Sequence, residues 1–210
     1  MDKEIITVRR RGRPRKNPKE SEENRLSLIF SGVSLLTQKG FEATGLDEVT
    51  KKAGLPKGSF YAYYDSKESF GLALIDAYDD FFAQMLDRSY LNESLTPLER
   101  INSFIMEARA NMVQRNFDRG CLVGNLGQEI TVLPTVYRKK LIDVLCKWQK
   151  KTEACLIQAQ IDGEISPHIN CEEKAKLFWI GWEGAILRAK LECRPDPIDI
   201  FKVDFEAGLK

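Results

Sequence analysis

The stretch Phe41 to Glu68, FEATGLDEVTKKAGLPKGSFYAYYDSKE, decides how this chain is read. Leu46 to Ala53 has the spacing of a short helix closed by Gly54, and Lys57 to Tyr63 that of a second. The run AGLP, Ala53 and the three residues that follow it, suits a tight turn. Gly54 permits the sharp reversal, Leu55 anchors the turn in a small core, and Pro56 starts the next helix. Two short helices braced across such a turn form a helix-turn-helix, whose second helix enters the major groove. That second helix carries groups suited to DNA. Lys57 and the backbone amides near Gly58 and Ser59 stand at a helix N-terminus, where phosphate oxygens are favoured. Tyr61 and Tyr63 offer a phenol to phosphate and a ring to a thymine methyl. An aromatic cluster at helical spacing is more often core, a reading that fits Phe60 and Tyr64, but a helix this short cannot bury every ring. Lys67, at the start of the following helix, is placed to reach a neighbouring phosphate.

Upstream, from Glu22, the apolar residues Leu26, Ile29, Phe30, Val33, Leu35 and Leu36 recur at helical spacing, and Gly40 is the expected left-handed cap. Downstream, Asp65-Ser66-Lys67-Glu68 opens a long fourth helix with a polar cap and a Glu three residues on. Thr96-Pro97-Leu98-Glu99 and Asn170-Cys171-Glu172-Glu173 repeat that logic. Pro134 and Gly163 bound another long helix, and Cys171 to Cys193 reads as the last long one. Sustained period-two alternation is missing. The expectation is an all-α protein: a disordered basic arm (1–20), a three-helix helix-turn-helix domain (21–68), and a helical ligand-binding and dimerisation domain (69–210).

Net charge is only +1, yet its distribution is uneven. Of the 32 Lys and Arg, seven fall between Arg9 and Lys19 with no acid among them, which leaves 25 against 31 acidic groups elsewhere, or −6. Such local concentration is what attracts phosphate. Within the run, Arg11-Gly12-Arg13-Pro14 resembles the core of an AT-hook, which sets arginines into a narrow A·T-rich minor groove. The plainer alternative is a solvated tail with unspecific phosphate attraction. The cysteine number, five, is odd, and CxxC is absent, which disfavours a disulfide scaffold or a zinc site. A cytoplasmic protein with reduced thiols, no cofactor and no membrane partner is expected. With His168 the one histidine, the sequence offers no His-based catalytic triad, so an enzyme is disfavoured.

KGSFYAYYDSKESF, preceded by GFEATGLDEVTKKAGLP, resembles the DNA-binding signature of TetR-family transcriptional regulators from Gly40 to Phe70. The resemblance implies a homodimer on double-stranded operator DNA and a small-molecule effector in the C-terminal domain. Two positions depart from the pattern. Ala62 stands where relatives often carry an aromatic or His. Gly45 stands where a hydroxyl usually starts the second helix and meets phosphate; Thr44 is the candidate substitute.

The C-terminal domain holds an unusual segment, RNFDRGCLVGNLGQEI (Arg115 to Ile130). Cys121 follows Gly120 and is placed to open a helix, whose dipole, with Arg119 nearby, favours thiolate. A small buried core thiol is the competing reading. GCLVGNLGQE together with FWIGWEGAILRAKLECRPDP resembles a TetR subgroup of electrophile- and acrylate-responsive repressors, and implies sensor roles for Cys121 and Lys190. A pocket for a small unsaturated carboxylate needs charge, donors and apolar walls. Arg188 or Lys190 are candidates for the charge, Asn125 and Gln128 for the donors, and Phe178, Trp179 and Trp182 for the walls. Core or dimer packing is the alternative for the tryptophans, and a salt bridge for Glu183. Gly181, Gly184 and Ala185 make a small-residue strip that another helix can approach closely, so two helices from each subunit are expected to form a four-helix interface. Ligand then favours a dimer whose reading heads are wrongly spaced for two half-sites. Covalent redox or electrophile sensing through Cys121 is the alternative mechanism, and an architectural DNA-binding protein without ligand the alternative class.

Overall fold

The computed structural model describes residues 18–210, and every regular element among them is helical. In chain order these are α1 (Pro18–Lys39), α2 (Leu46–Lys52), a 3-10 segment (Lys57–Ala62), α3 (Lys67–Tyr90), α4 (Pro97–Gln114), α5 (Leu122–Gln128), α6 (Thr135–Ile161), α7 (Cys171–Glu192) and α8 (Asp196–Ala207). The reading head comprises α1, α2 and the 3-10 segment, with the start of α3. Its core is aromatic: Phe60 packs edge-on against Phe70 and beside Tyr64. Gly40 and Gly54 take φ +85° and +70°, so both turns use the left-handed backbone that glycine adopts without a Cβ clash.

Several boundaries differ from the sequence expectation. Residues 18–20, assigned to the arm, belong to α1. Arg11 and Arg13 lie outside the described residues. The third helix is a 3-10 turn rather than an α-helix, and ends one residue early, at Ala62. The cap of α3 is Ser66, which exchanges hydrogen bonds with Ser69; the expected Asp65–Glu68 pair is out by one position. Thr96 and Glu99 form the predicted reciprocal cap, and Asn170 accepts from the Glu173 N–H. Cys193 closes α7 in a left-handed conformation, φ +51°.

α8 is the element the sequence reading omitted. The run Arg194-Pro195-Asp196-Pro197 reads as loop, yet proline within the first turn of a helix costs no hydrogen bond. α8 lays Ile198 and Phe205 into the core and its Phe201 ring onto Gly181 of α7, where an added Cβ would sit 2.7 Å from a ring carbon. Gly181 therefore admits a helix of the same chain. Gly184 has open space above it.

α3 spans the two halves. It packs on α1 near its start, where Phe70 and Leu74 face Gly32, and on α4 and α6. The larger core is built from Phe82, Phe104, Trp148, Phe178, Trp179 and Trp182, whose rings meet in tilted, edge-on and stacked pairs. Two of its buried polar groups, Asp79 and Thr152, are paired. Asp79, buried, accepts from the Trp148 indole at 3.0 Å and from Lys147 at 2.7 Å. Thr152, fully buried, lies 3.2 Å from the Tyr90 hydroxyl and accepts the Trp179 indole N–H at 3.0 Å.

Candidate nucleic-acid interface and effector site

Geometry divides the predicted DNA contacts into two groups. Tyr61 projects from the 3-10 segment with two-thirds of its surface exposed, its ring propped edge-on against buried Phe60 at 5.4 Å. Gly58 and Lys57 are exposed beside it, and Lys57 reaches Asp47 at 2.5 Å, a surface pair that phosphate can displace at little cost. The other residues are committed elsewhere. Ser59 is buried; its hydroxyl and its N–H both donate to the Pro56 carbonyl, at 2.7 and 2.9 Å. Tyr63 is half-buried and accepts from the Asn24 amide at 3.0 Å, which ties the turn to α1. Lys67 stands over the Phe41 ring at 4.4 Å. Thr44 does not present the hydroxyl that Gly45 lacks: it is buried and donates to the Gly40 carbonyl at 2.6 Å.

The effector residues converge on an unexpected place, the end of α1. The last carbonyls of a helix have no partner within it and carry partial negative charge. Here the C-terminal domain supplies the partners. Gly120 N–H donates to Thr37 O at 2.9 Å. The Asn125 amide donates to Leu36 O and Thr37 O at 2.8 and 3.1 Å. Lys190 donates to Gln38 O at 2.6 Å and Thr37 O at 3.2 Å. Just beyond, where the chain turns, the Glu129 carboxylate accepts from the N–H groups of Phe41 and Glu42 at 3.0 to 3.1 Å. A cation and an amide therefore hold the carbonyl end of α1, and an anion holds the free N–H groups that follow. Sequence reasoning missed Glu129 and the Gly120 N–H. Burial lowers the Lys190 pKa, a trend that Asp118 opposes.

Directly behind this corner lies a buried cluster of three ionisable groups. Cys121 caps the start of α5, as expected, but the cap position does not make it a thiolate. Burial, and then the Glu183 charge, push the thiol well above its ordinary value, and the Gly124 N–H only partly offsets them. Tyr78 from α3 and Glu183 from α7 are its ionisable neighbours, and Glu183 Oε2 and Cys121 Cβ both lie beside Gly124. Burial raises the Glu183 pKa to about 7. Its Oε1 is enclosed without a partner, and its Oε2 rests against Gly124, where any Cβ would overlap it. Glu183 is no salt-bridge partner.

The remaining candidates stand apart from this cluster. Trp179 and Trp182 are core, each 2% exposed, and Phe178 is fully buried. Arg188 is exposed and bonds Glu192 one turn along at 2.6 Å. Gln128 is exposed at the end of α5. A surface groove of about 390 Å³ on α6 is lined by Lys140, Asp143, Val144, Cys146, Lys147 and Lys150. A smaller cleft of about 210 Å³ separates α4 from α8. Neither contains a predicted effector residue. The segment leading to Cys121 is strained: Asn116 and Phe117 are consecutive left-handed residues at φ +50° and +57°, a conformation bulky side chains avoid.

A helical reading head with an exposed tyrosine, wired to a helical domain through a hydrogen-bonded corner, defines a helix-turn-helix transcriptional regulator. Residues 28–74 match the family described as bacterial regulatory proteins, tetR family, and residues 97–204 match the tetracyclin repressor-like C-terminal domain. The chain belongs to the TetR family. It is 51% identical to the transcriptional regulator AcuR of Cereibacter sphaeroides over 93% of this chain and 89% of that protein. It is 29% identical to the HTH-type transcriptional repressor NemR of Escherichia coli K12, over 87% of this chain and 92% of the relative. A crystal structure of a regulatory protein TetR from Rhodobacter sphaeroides, 50% identical, superposes with TM-score 0.86 over 88% of this chain and 97% of the other. The reduced form of E. coli NemR, 25% identical, gives 0.79 over 88% and 97%. No helix among the described residues is long and apolar enough to cross a membrane.

Proposed function

We propose that this regulator is a cytoplasmic homodimeric repressor, released from its operator by a small unsaturated carboxylate such as acrylate or by a related electrophile acting at Cys121. The observation that carries this reading is adjacency. Gly120 and Asn125, which flank the thiol in sequence, and Lys190, from the helix that carries Glu183, are the groups that grip the end of α1. A ligand that displaces α5 or α7 at the thiol disturbs the orientation of the reading head, and this differential contact is what a switch requires. A hundredfold loss of operator affinity needs only about 2.7 kcal/mol of such coupling. Tyr61, Lys57 and Gly58 are the contacts this reading assigns to DNA, with Lys67 and the Tyr63 hydroxyl at the margin and the basic arm, through Arg11 and Arg13, alongside.

Dimerisation is assigned to α6 and α7. On α7, Leu177, Ile180, Leu187 and Leu191 are exposed and fall with open Gly184 at alternating steps of three and four, the seam of a helix awaiting a partner helix. The test is a gel shift on the DNA upstream of the chain's own coding sequence, titrated with acrylate, saturated carboxylates and unsaturated aldehydes. Release by the unsaturated compounds, lost in Cys121→Ser, supports covalent sensing. Release that survives in Cys121→Ser supports reversible carboxylate binding. Binding that no compound alters refutes the effector reading.

A further inference from the structure

Cys121 has a reactive carbon's natural nucleophile but the wrong ionisation state: a buried thiol held protonated reacts slowly with an alkene. A base within reach is required, and the surroundings narrow the choice. Lys190 and Asn125 are spent on the carbonyls of α1, and burial pushes the Tyr78 phenol well above its ordinary value. Glu183 is the carboxyl group beside the thiol, and it keeps one enclosed oxygen with no partner. The backbone makes room for it, because Gly124 has no Cβ where Oε2 lies, and a Cβ there would also sit 3.6 Å from Cβ of Cys121.

We propose that Glu183 is the general base that accepts the Cys121 proton as the sulfur adds to an electrophilic alkene. The step balances without a co-reactant. The sulfur pair forms the new C–S bond at the β-carbon. The alkene π pair moves to the carbon beside the carbonyl. The proton passes from sulfur to Glu183 and from there to that carbon, which regenerates the carboxylate. The proposal rests on the reading of Cys121 as the sensing thiol, and makes Glu183 the residue that sets its rate.

The experiment uses N-ethylmaleimide on the full-length protein between about pH 5 and 9, with adducts located by peptide mass mapping. Exposed Cys146 and Cys193 serve as internal references in the same samples. In the wild type, Cys121 labelling is expected to rise with pH through an inflection near 7, where the Glu183 carboxyl ionises. In Glu183→Gln that inflection disappears and labelling slows by about a hundredfold near neutrality, the lower range for loss of a positioned base, while Cys146 and Cys193 label as before. Glu183→Asp, which keeps a carboxylate, restores the inflection at a reduced rate and separates base from packing. No adduct at Cys121 in the wild type overturns the sensing role and the base with it. An adduct that forms in Glu183→Gln at the wild-type rate and pH profile overturns the base and leaves the sensing thiol standing.

Discussion

Replacing Lys190 by Met should uncouple the reading head from the domain behind it. Lys190 makes two hydrogen bonds to the last turn of α1, at 2.6 and 3.2 Å. A bond to a charged group contributes about 1.5–3 kcal/mol net, and a cation at a helix C-terminus adds a few tenths more. Against this stands partial desolvation of the ammonium, visible in its lowered pKa. The shorter bond with the dipole, less that cost, leaves about 2 kcal/mol for the side chain, or roughly a thirtyfold shift in the balance between docked and loosened heads. Met preserves the length and apolar stem, so the change isolates the ammonium. The assay is fluorescence anisotropy of a labelled operator duplex at one fixed salt concentration, since phosphate contacts make affinity strongly salt-dependent. Arg188→Met is the control: it removes the same charge from the same helix at an exposed site bonded only within α7. The expected result is an affinity loss of up to about thirtyfold for Lys190→Met and little for Arg188→Met. Equal affinities for Lys190→Met and wild type, with unchanged melting temperature, would refute the coupling argument.

Three further outcomes follow from the same geometry. Glu183 holds its proton more tightly folded than unfolded, because burial raises its pKa from 4.5 to about 7. Its contribution to stability is therefore full below the unfolded value and declines as pH rises through about 7, by at most about 3 kcal/mol. Glu183→Gln should melt higher than wild type at alkaline pH and alike in acid, and identical curves at both would contradict the burial argument. Tyr61→Ala should leave stability within about 0.5 kcal/mol, since the ring is mostly exposed, and weaken operator binding about tenfold, near 1.4 kcal/mol; anisotropy beside a thermal melt reads both. In the proposed α7 dimer, Ile180→Asp places like charges face to face across the two-fold axis, and sedimentation should report a monomer of unchanged helix content; an intact dimer would refute that seam.

Much of the fold is written in local chemistry. Gly40, Gly54 and the Thr96–Glu99 cap each act within a few residues, and each sits where the sequence reading put it. The side-chain assignments fared differently because their partners are remote. Asn125 and Lys190 look alike as free donors in a helix, yet their acceptors are carbonyls 88 and 153 positions away. Local rules favoured a thiolate at Cys121: a helix start and an arginine two residues back. Depth and a carboxylate from α7 outweigh both. Trp179 and Trp182, one turn apart, fit a pocket wall as well as a core, and the rings that remote elements pack around them, with the Thr152 hydroxyl on Trp179, tell which. Thr44, the candidate substitute for the hydroxyl that Gly45 lacks, has its hydroxyl satisfied within the turn. α8 escaped notice because two prolines mask a helix start.

All three tryptophans, Trp148, Trp179 and Trp182, sit in the aromatic core of the larger half, and the reading head has none. Tryptophan emission, excited beyond the absorption of Tyr61, Tyr63 and Tyr64, is therefore blind to the head, whereas circular dichroism at helix wavelengths senses both halves. The gap between the two melting curves is a label-free measure of how firmly the halves unfold together, and an effector that widens it is acting on the joint rather than on either half.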